Sequence, residues 1–143
     1  MNSRPSWDEY FMSICDVIST RATCDRRKVG CVIVKNNRVI STGYNGALAG
    51  TPSCDDAGHL MENGHCIRVN HSELNAILYA ARYGVALDGA TIFINTYCCW
   101  ECFKAIASVG IKRIVYKDEY RNNPLVEEHA QLLGIKIEKF ADE

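Results

Sequence analysis

Apolar residues recur at helical spacing soon after the chain begins: Tyr10, Phe11, Ile14, Val17 and Ile18 share one face. Ser6-Trp7-Asp8-Glu9 precedes them as a capping box, so an amphipathic helix is expected over approximately 7–20. A polar loop follows to Lys28. The run Val29-Gly30-Cys31-Val32-Ile33-Val34 is apolar and β-branched, Asn36-Asn37 marks a tight turn, and Arg38 to Tyr44 reads as the partner strand of a hairpin. From Asn45 to Asn70 periodicity is lost among Gly, Pro, Asp, Cys and His. A loop of that length in a compact domain is usually functional.

Helical periodicity returns at His71, with Leu74, Ile77, Leu78 and Ala81 on the expected core face and Tyr83-Gly84 as the stop. Ala90 to Ile94 is a buried strand. Cys99 to Val109 is a helix ended by Gly110, Lys112 to Tyr116 a strand, Asn123-Pro124 to Gly134 a helix with Pro in its first turn, and Ile135 to Phe140 a short last strand. The order α-β-β-α-β-α-β-α-β predicts an α/β fold of three layers, α/β/α, with a mixed sheet of about five strands. No repeat or linker interrupts it, so residues 1–143 are expected to form a single domain.

Composition narrows the function classes. With 16 Lys+Arg against 17 Asp+Glu, the formal charge of −1 lacks the basic footprint of a general nucleic-acid binder. No run of about 18 apolar residues is present to span a membrane, and Met1-Asn2-Ser3-Arg4-Pro5 is too polar for a signal peptide. A cytoplasmic protein is expected, in which the 8 cysteines stay reduced and the paired ones bind metal.

The chemistry concentrates between His71 and Cys102. His71 with Cys99-x-x-Cys102 gives three zinc ligands, one short of the closed set of a structural site. The open position carries a water whose pKa the metal lowers, and Glu73, two residues from His71, is close enough to move its protons. Each half of the set opens a crossover helix. If adjacent parallel strands feed those helices, their N-termini meet at the strands' carboxyl ends, where thiolates are also favoured.

His71-Ser72-Glu73 followed by Cys99-x-x-Cys102, each opening a helix, resembles the zinc-dependent nucleoside and nucleotide deaminase superfamily. Flanking stretches resemble the deoxycytidylate deaminases over nearly the whole length: Trp7 to Met12, Thr23 to Gly30, Thr42-Gly43-Tyr44-Asn45-Gly46, the Cys/His-bearing insert, Glu73 to Ile77, and Gly110 to Tyr116 running on to Tyr120. Three positions depart from that pattern. Ser72 stands where the family usually has Ala, Cys98 where it has Pro, and Leu48 where many relatives have Pro.

The resemblance implies a cytidine-deaminase-like fold and hydrolytic deamination of dCMP to dUMP and ammonia, supplying dUMP for thymidylate synthesis. In it Glu73 is the proton carrier, and His71, Cys99 and Cys102 hold catalytic zinc. It also implies a substrate rim in which the Ser72 N–H meets the base O2, the Tyr97 carbonyl accepts from the amino group, and Asn45 contacts the deoxyribose. Arg26 and Arg27 face the phosphate, and Tyr120 lies at the same rim. Some relatives carry a second, structural zinc in the insert, where Cys54, His59, His65 and Cys66 cluster with Cys24 on an earlier loop; the likeness leaves room for one here through a subset such as Cys24, Cys54 and His65, without fixing its ligands. Regulation follows from the same likeness: a homohexamer activated by dCTP and inhibited by dTTP, with Mg2+ and the triphosphate near Gly43, Tyr44, Asn45 and Gly46. Two alternatives stay open. One is a related deaminase acting on dCTP, a free nucleoside or tRNA; the other is a non-catalytic zinc protein with Cys98 as fourth ligand.

Overall fold

In the computed structural model, which describes residues 3–23 and 27–141, the elements run α1 (Trp7–Ser19), β1 (Gly30–Lys35), β2 (Arg38–Tyr44), β3 (Gly46–Ala47), α2 (Cys54–Ala57), β4 (Met61–Glu62), β5 (His65–Cys66), β6 (Val69–Asn70), α3 (Ser72–Tyr83), β7 (Thr91–Thr96), α4 (Trp100–Ser108), β8 (Arg113–Asp118), α5 (Pro124–Leu133) and β9 (Lys136–Lys139). Local chemistry accounts for many of the boundaries. The Ser6 backbone N–H donates to Glu9 Oε1 at 2.8 Å while Ser6 Oγ accepts from the Glu9 N–H at 3.2 Å, completing the capping box. Asn36 and Asn37 both take positive φ, 52° and 58°, as the two-residue turn between β1 and β2 requires.

The five long strands form a mixed sheet in the order β2-β1-β7-β8-β9. β1 runs antiparallel to β2 and β7, whereas β7, β8 and β9 are parallel. Alternation along each central strand divides the core in two. Val32, Val34, Phe93 and Val115 pack with Phe11, Met12 and Cys15 of α1. Cys31, Ile33, Ile92, Ile94, Ile114 and Tyr116 face the other way, toward the helices α3, α4 and α5. Both faces are therefore dry, which is why these strands read as unbroken apolar runs. Arg113 ties α1 to the sheet by pairing with Asp8 at 2.8 Å and Glu138 at 2.6 Å.

Three expectations change. The 45–70 segment carries short strand pairs, β3 with β6 and β4 with β5, and the single-turn α2; two-residue strands are too short to leave a periodic signature. The buried face of α3 is Glu73, Ala76, Ile77 and Ala80 rather than Leu74, Ile77, Leu78 and Ala81. Leu78 is exposed because close packing selects the small side chains of Ala76 and Ala80 for the sheet side. The strands that precede the two chemistry-bearing helices, β2 and β7, are not adjacent: β1 lies between them. Both are antiparallel to β1 and so run the same way, which still brings their carboxyl ends to one edge.

A close join in this arrangement is Gly43 of β2 against the first turns of α3. A Cβ there would stand 2.2 Å from the Ser72 carbonyl oxygen and 2.7 Å from the Ala76 nitrogen, both backbone atoms that cannot swing aside. Gly43→Ala is expected to force α3 off the sheet and lower stability by about 1–3 kcal/mol, measured as a shift in the urea unfolding midpoint.

Candidate active site

His71 and Cys99 are the N-caps of α3 and α4, both in extended backbone conformation. His71 makes no side-chain cap bond to its own helix. Its Nδ1 instead lies 3.3 Å from Cys102 Sγ and 3.4 Å from Cys99 Sγ. Cys99 Sγ also accepts the backbone N–H of Cys102 at 3.4 Å, which fixes the thiol at the head of α4. The three donor atoms all lie within 4.8 Å of one another. Tetrahedral zinc with Zn–N near 2.0 Å and Zn–S near 2.3 Å sets nitrogen and sulfur about 3.6 Å apart, so one imidazole and two thiols at these separations fit zinc.

Cys98 does not join them. It is buried in the core cluster around Tyr97, and burial pushes its thiol well above the ordinary range. Among the described residues the cluster therefore holds three donors, and the closed four-ligand arrangement through Cys98 is not formed. The hydrogen bond from the Cys102 thiol, joined by the His71 ring and the Cys102 N–H, brings the Cys99 thiol down to about 4 against the opposing effect of burial. Cys102, bonded to that thiolate and buried, is pushed up. Metal binding to the pair requires both thiols to be deprotonated and so releases protons.

Glu73 is buried one helical position beyond Ser72, which has no solvent exposure at all. Ser72 Oγ donates to Glu73 Oε1 at 2.7 Å. Burial raises the Glu73 carboxyl above its ordinary value, and the Ser72 hydrogen bond works against that rise. Both residues, with His71 and Cys99, line a pocket of about 220 Å³.

The pocket rim collects several residues singled out from sequence. Asn45 lines it while its side chain ties the preceding loop, accepting from the Val29 N–H at 2.8 Å and donating to the Arg27 carbonyl at 2.6 Å. Tyr97 also lines it, with its hydroxyl turned to Glu127 at 2.9 Å. Tyr120 stands under the Arg27 guanidinium, 4.0 Å from ring centroid to Cζ. Arg27 donates through Nη2 to Thr96 Oγ1, and its Nε is buried with no hydrogen-bond partner. A guanidinium in the pocket wall, bonded to a neutral hydroxyl and laid over an aromatic ring, fits an anionic ligand group.

Arg26 and Cys24 lie outside the described residues, as does the side chain of His65. The structure groups Cys54 with His59 and Cys66 in a second cluster, the two sulfurs 3.5 Å apart. Burial opposes the shift, but hydrogen bonds from the Arg68 and Leu60 backbone, then from Cys54 and His59, bring the Cys66 thiol down to about 6. The sequence places Cys54, His59, His65 and Cys66 together in the insert without fixing which of them group; the fold brings His59 and Cys66 to Cys54. Sequence reading missed Thr96 and Arg121, which line the pocket around Glu73. Arg121 follows Tyr120 directly, and its φ of 46° was the one unreadable feature there. Gly43 and Gly46 pack behind the pocket, Gly43 on the Ser72 carbonyl and Gly46 beside the Tyr44 ring.

A family model described as the cytidine and deoxycytidylate deaminase zinc-binding region matches residues 5–118. ComE operon protein 2 of Bacillus subtilis is 41% identical over 95% of this chain and 72% of its own length. A protein named deoxycytidylate deaminase from Mycobacterium phage D29 is 40% identical over 82% of this chain and 98% of its own. Among solved structures, the dCMP deaminase of cyanophage S-TIM5 in complex with dCMP and dUMP superposes with a TM-score of 0.83 at 31% identity, covering 97% of this chain and all of that one.

The buried carboxyl generates a stability prediction. Its value in the fold lies above that of the unfolded chain, so the fold loses stability as Glu73 ionises with rising pH. Glu73→Gln, which cannot ionise, is expected to raise the melting temperature of metal-free protein at about pH 8, with the gain shrinking toward about pH 5. A gain equal at both pH values in thermal scans contradicts it.

Proposed function

The chain belongs to the cytidine and deoxycytidylate deaminase family, and from that premise we propose that it is a zinc-dependent deaminase that hydrolyses dCMP to dUMP and ammonia, supplying dUMP for thymidylate synthesis. The observation that carries the reading is the grouping of His71, Cys99 and Cys102 beside a pocket that His71, Cys99, buried Glu73 and Arg27 line. Zinc, when held by His71, Cys99 and Cys102, would supply a water with its pKa lowered toward about 7. Glu73 would take a proton from the attacking water and deliver it to N3 of cytosine as the oxygen adds to C4. It would then pass the proton of the C4 hydroxyl to the amino group, so that the C4–N bond breaks, ammonia leaves and the C4 carbonyl forms. The backbone N–H of Ser72 binds O2, the Tyr97 carbonyl accepts from the amino group, and Asn45 orients the deoxyribose. Arg27, with Arg26 and Tyr120, receives the 5′-phosphate; the presence of Arg27 and Arg121 in the pocket wall supports a nucleotide over a nucleoside.

The same reading extends to regulation and setting. A structural zinc at Cys54, His59 and Cys66 fits their separations. We extend the reading to activation by dCTP and inhibition by dTTP, with Mg2+ at Gly43 to Gly46 in a homohexamer; Gly43 packs against the Ser72 carbonyl at the head of α3. The enzyme works in the cytoplasm, where its thiols stay reduced, without membrane or nucleic-acid partners. Among the described residues no helix is long and apolar enough to cross a membrane, and the net charge of −1 offers little to a polynucleotide.

Turnover of dCMP, dCTP, cytidine and tRNA by the zinc-loaded chain tests the central claim: ammonia release from dCMP alone is expected, and preference for another substrate overturns it. Glu73→Ala is expected to keep its zinc and lose at least about 10²- to 10⁴-fold in kcat. Metal analysis of purified protein is expected to find two zinc per chain, and one in Cys54→Ser; one in the unaltered chain removes the second site. Sigmoidal dCMP kinetics that turn hyperbolic with dCTP support the regulation, and indifference to both triphosphates refutes it.

A further inference from the structure

The hydroxyl of Ser72 has a place that neither zinc binding nor base recognition uses. It is fully buried at the first position of α3, and its proton goes to Glu73 Oε1 at 2.7 Å. Neighbouring side chains in a helix point about 100° apart and do not normally meet. Here they do so in the opening turn, where His71 occupies the capping position and leaves the serine hydroxyl free of that duty.

The backbone that carries this hydroxyl is held from several sides. The Ser72 carbonyl accepts from Cys31 Sγ at 3.3 Å, and Gly43 approaches that same oxygen too closely for any side chain to intervene. Four residues on, the Ala76 carbonyl accepts from Ser41 Oγ at 2.7 Å, holding the next turn to β2. Ser72 Oγ is thus a donor fixed on the sheet rather than one riding on a mobile side chain.

A carboxylate that shuttles protons needs one oxygen aimed at the water and the base. The terminal torsion of Glu is broad and roughly two-fold, so an unanchored carboxylate samples many orientations. A donor fixed on one oxygen removes most of that freedom and satisfies a buried acceptor. We propose that the Ser72 hydroxyl is a positioning group for the reaction: by holding Glu73 Oε1 it reserves Oε2 as the oxygen that carries protons between water, N3 and the departing amino group. This rests on the reading of Glu73 as proton carrier. It adds a side-chain role to a residue otherwise valued for its backbone N–H, and that N–H is retained in any Ser72 variant with a normal peptide bond.

The test is Ser72→Ala in zinc-loaded, full-length protein; alanine is smaller and a strong helix former, so folding is preserved. Expected are a roughly tenfold fall in kcat, a KM for dCMP within about twofold of the unaltered enzyme, and unchanged zinc content. A kcat within about twofold overturns the proposal, and so does a rise in KM with kcat retained, since that assigns the hydroxyl to substrate binding. A crystal structure of the zinc-loaded, unaltered protein gives a readout independent of turnover. Ser72 Oγ bonded to one Glu73 oxygen with the other facing the zinc supports the proposal, and a Glu73 carboxylate turned away from Ser72 overturns it. Absence of dCMP turnover in the unaltered chain counts against the proposed function, while the crystal structure still decides the hydrogen bond.

Discussion

The candidate site depends on how closely the first turn of α3 approaches the sheet. Gly43 lets the Ser72 carbonyl reach β2, Cys31 and Ser41 bond the carbonyls of the first two turns, and Ala76 and Ala80 fill the remaining space. That contact fixes the height of His71 and Glu73 above the strands. α4 is set independently, by Phe103 and Ile106 in the core, and Cys99 and Cys102 arrive at His71 only because both seatings hold. Close packing of this kind turns errors of an ångström into lost ligand geometry, since a dense core has little slack to absorb them.

Seating two helix N-termini together also determines the electrostatics. Uncompensated backbone N–H groups favour negative charge there, which suits thiolate ligands, and the hydrogen bond with Cys99 raises the His71 imidazole pKa above its ordinary value against the effect of burial. The same burial is unfavourable for the Glu73 carboxylate, and the Ser72 hydroxyl offsets part of that penalty. The site is therefore a place where the fold accepts a destabilising charge in a pocket open to a ligand. Arg27 repeats the pattern at the rim, with a buried nitrogen lacking a partner and a face laid over Tyr120.

The insert between β2 and α3 plays a different part. Its small pairs, β3 with β6 and β4 with β5, have too little apolar surface to be stable alone. Cys54, His59 and Cys66 bring three potential metal donors together in that segment. Because Gly64, Cys66 and Val69 also line the pocket, whatever orders the insert shapes one wall of the site.

Much of this was legible in the sequence. The nine principal elements, the hairpin turn at Asn36-Asn37 and the mixed sheet follow from local signals, because capping boxes, glycine stops and apolar runs act over a few residues. His71, Glu73, Cys99 and Cys102 were legible for the same reason: each pair sits within a helical turn, at a spacing that chemistry constrains. Which face of α3 is buried was not legible, since Gly43 brings the sheet against Ala76, and the small Ala76 and Ala80 rather than Leu78 are then buried. Nor was the placement of β1 between β2 and β7, the exclusion of Cys98 from the donor cluster, or the bond from Ser72 to Glu73. Those are distances between atoms brought together by folding, and only the packed tertiary structure decides them.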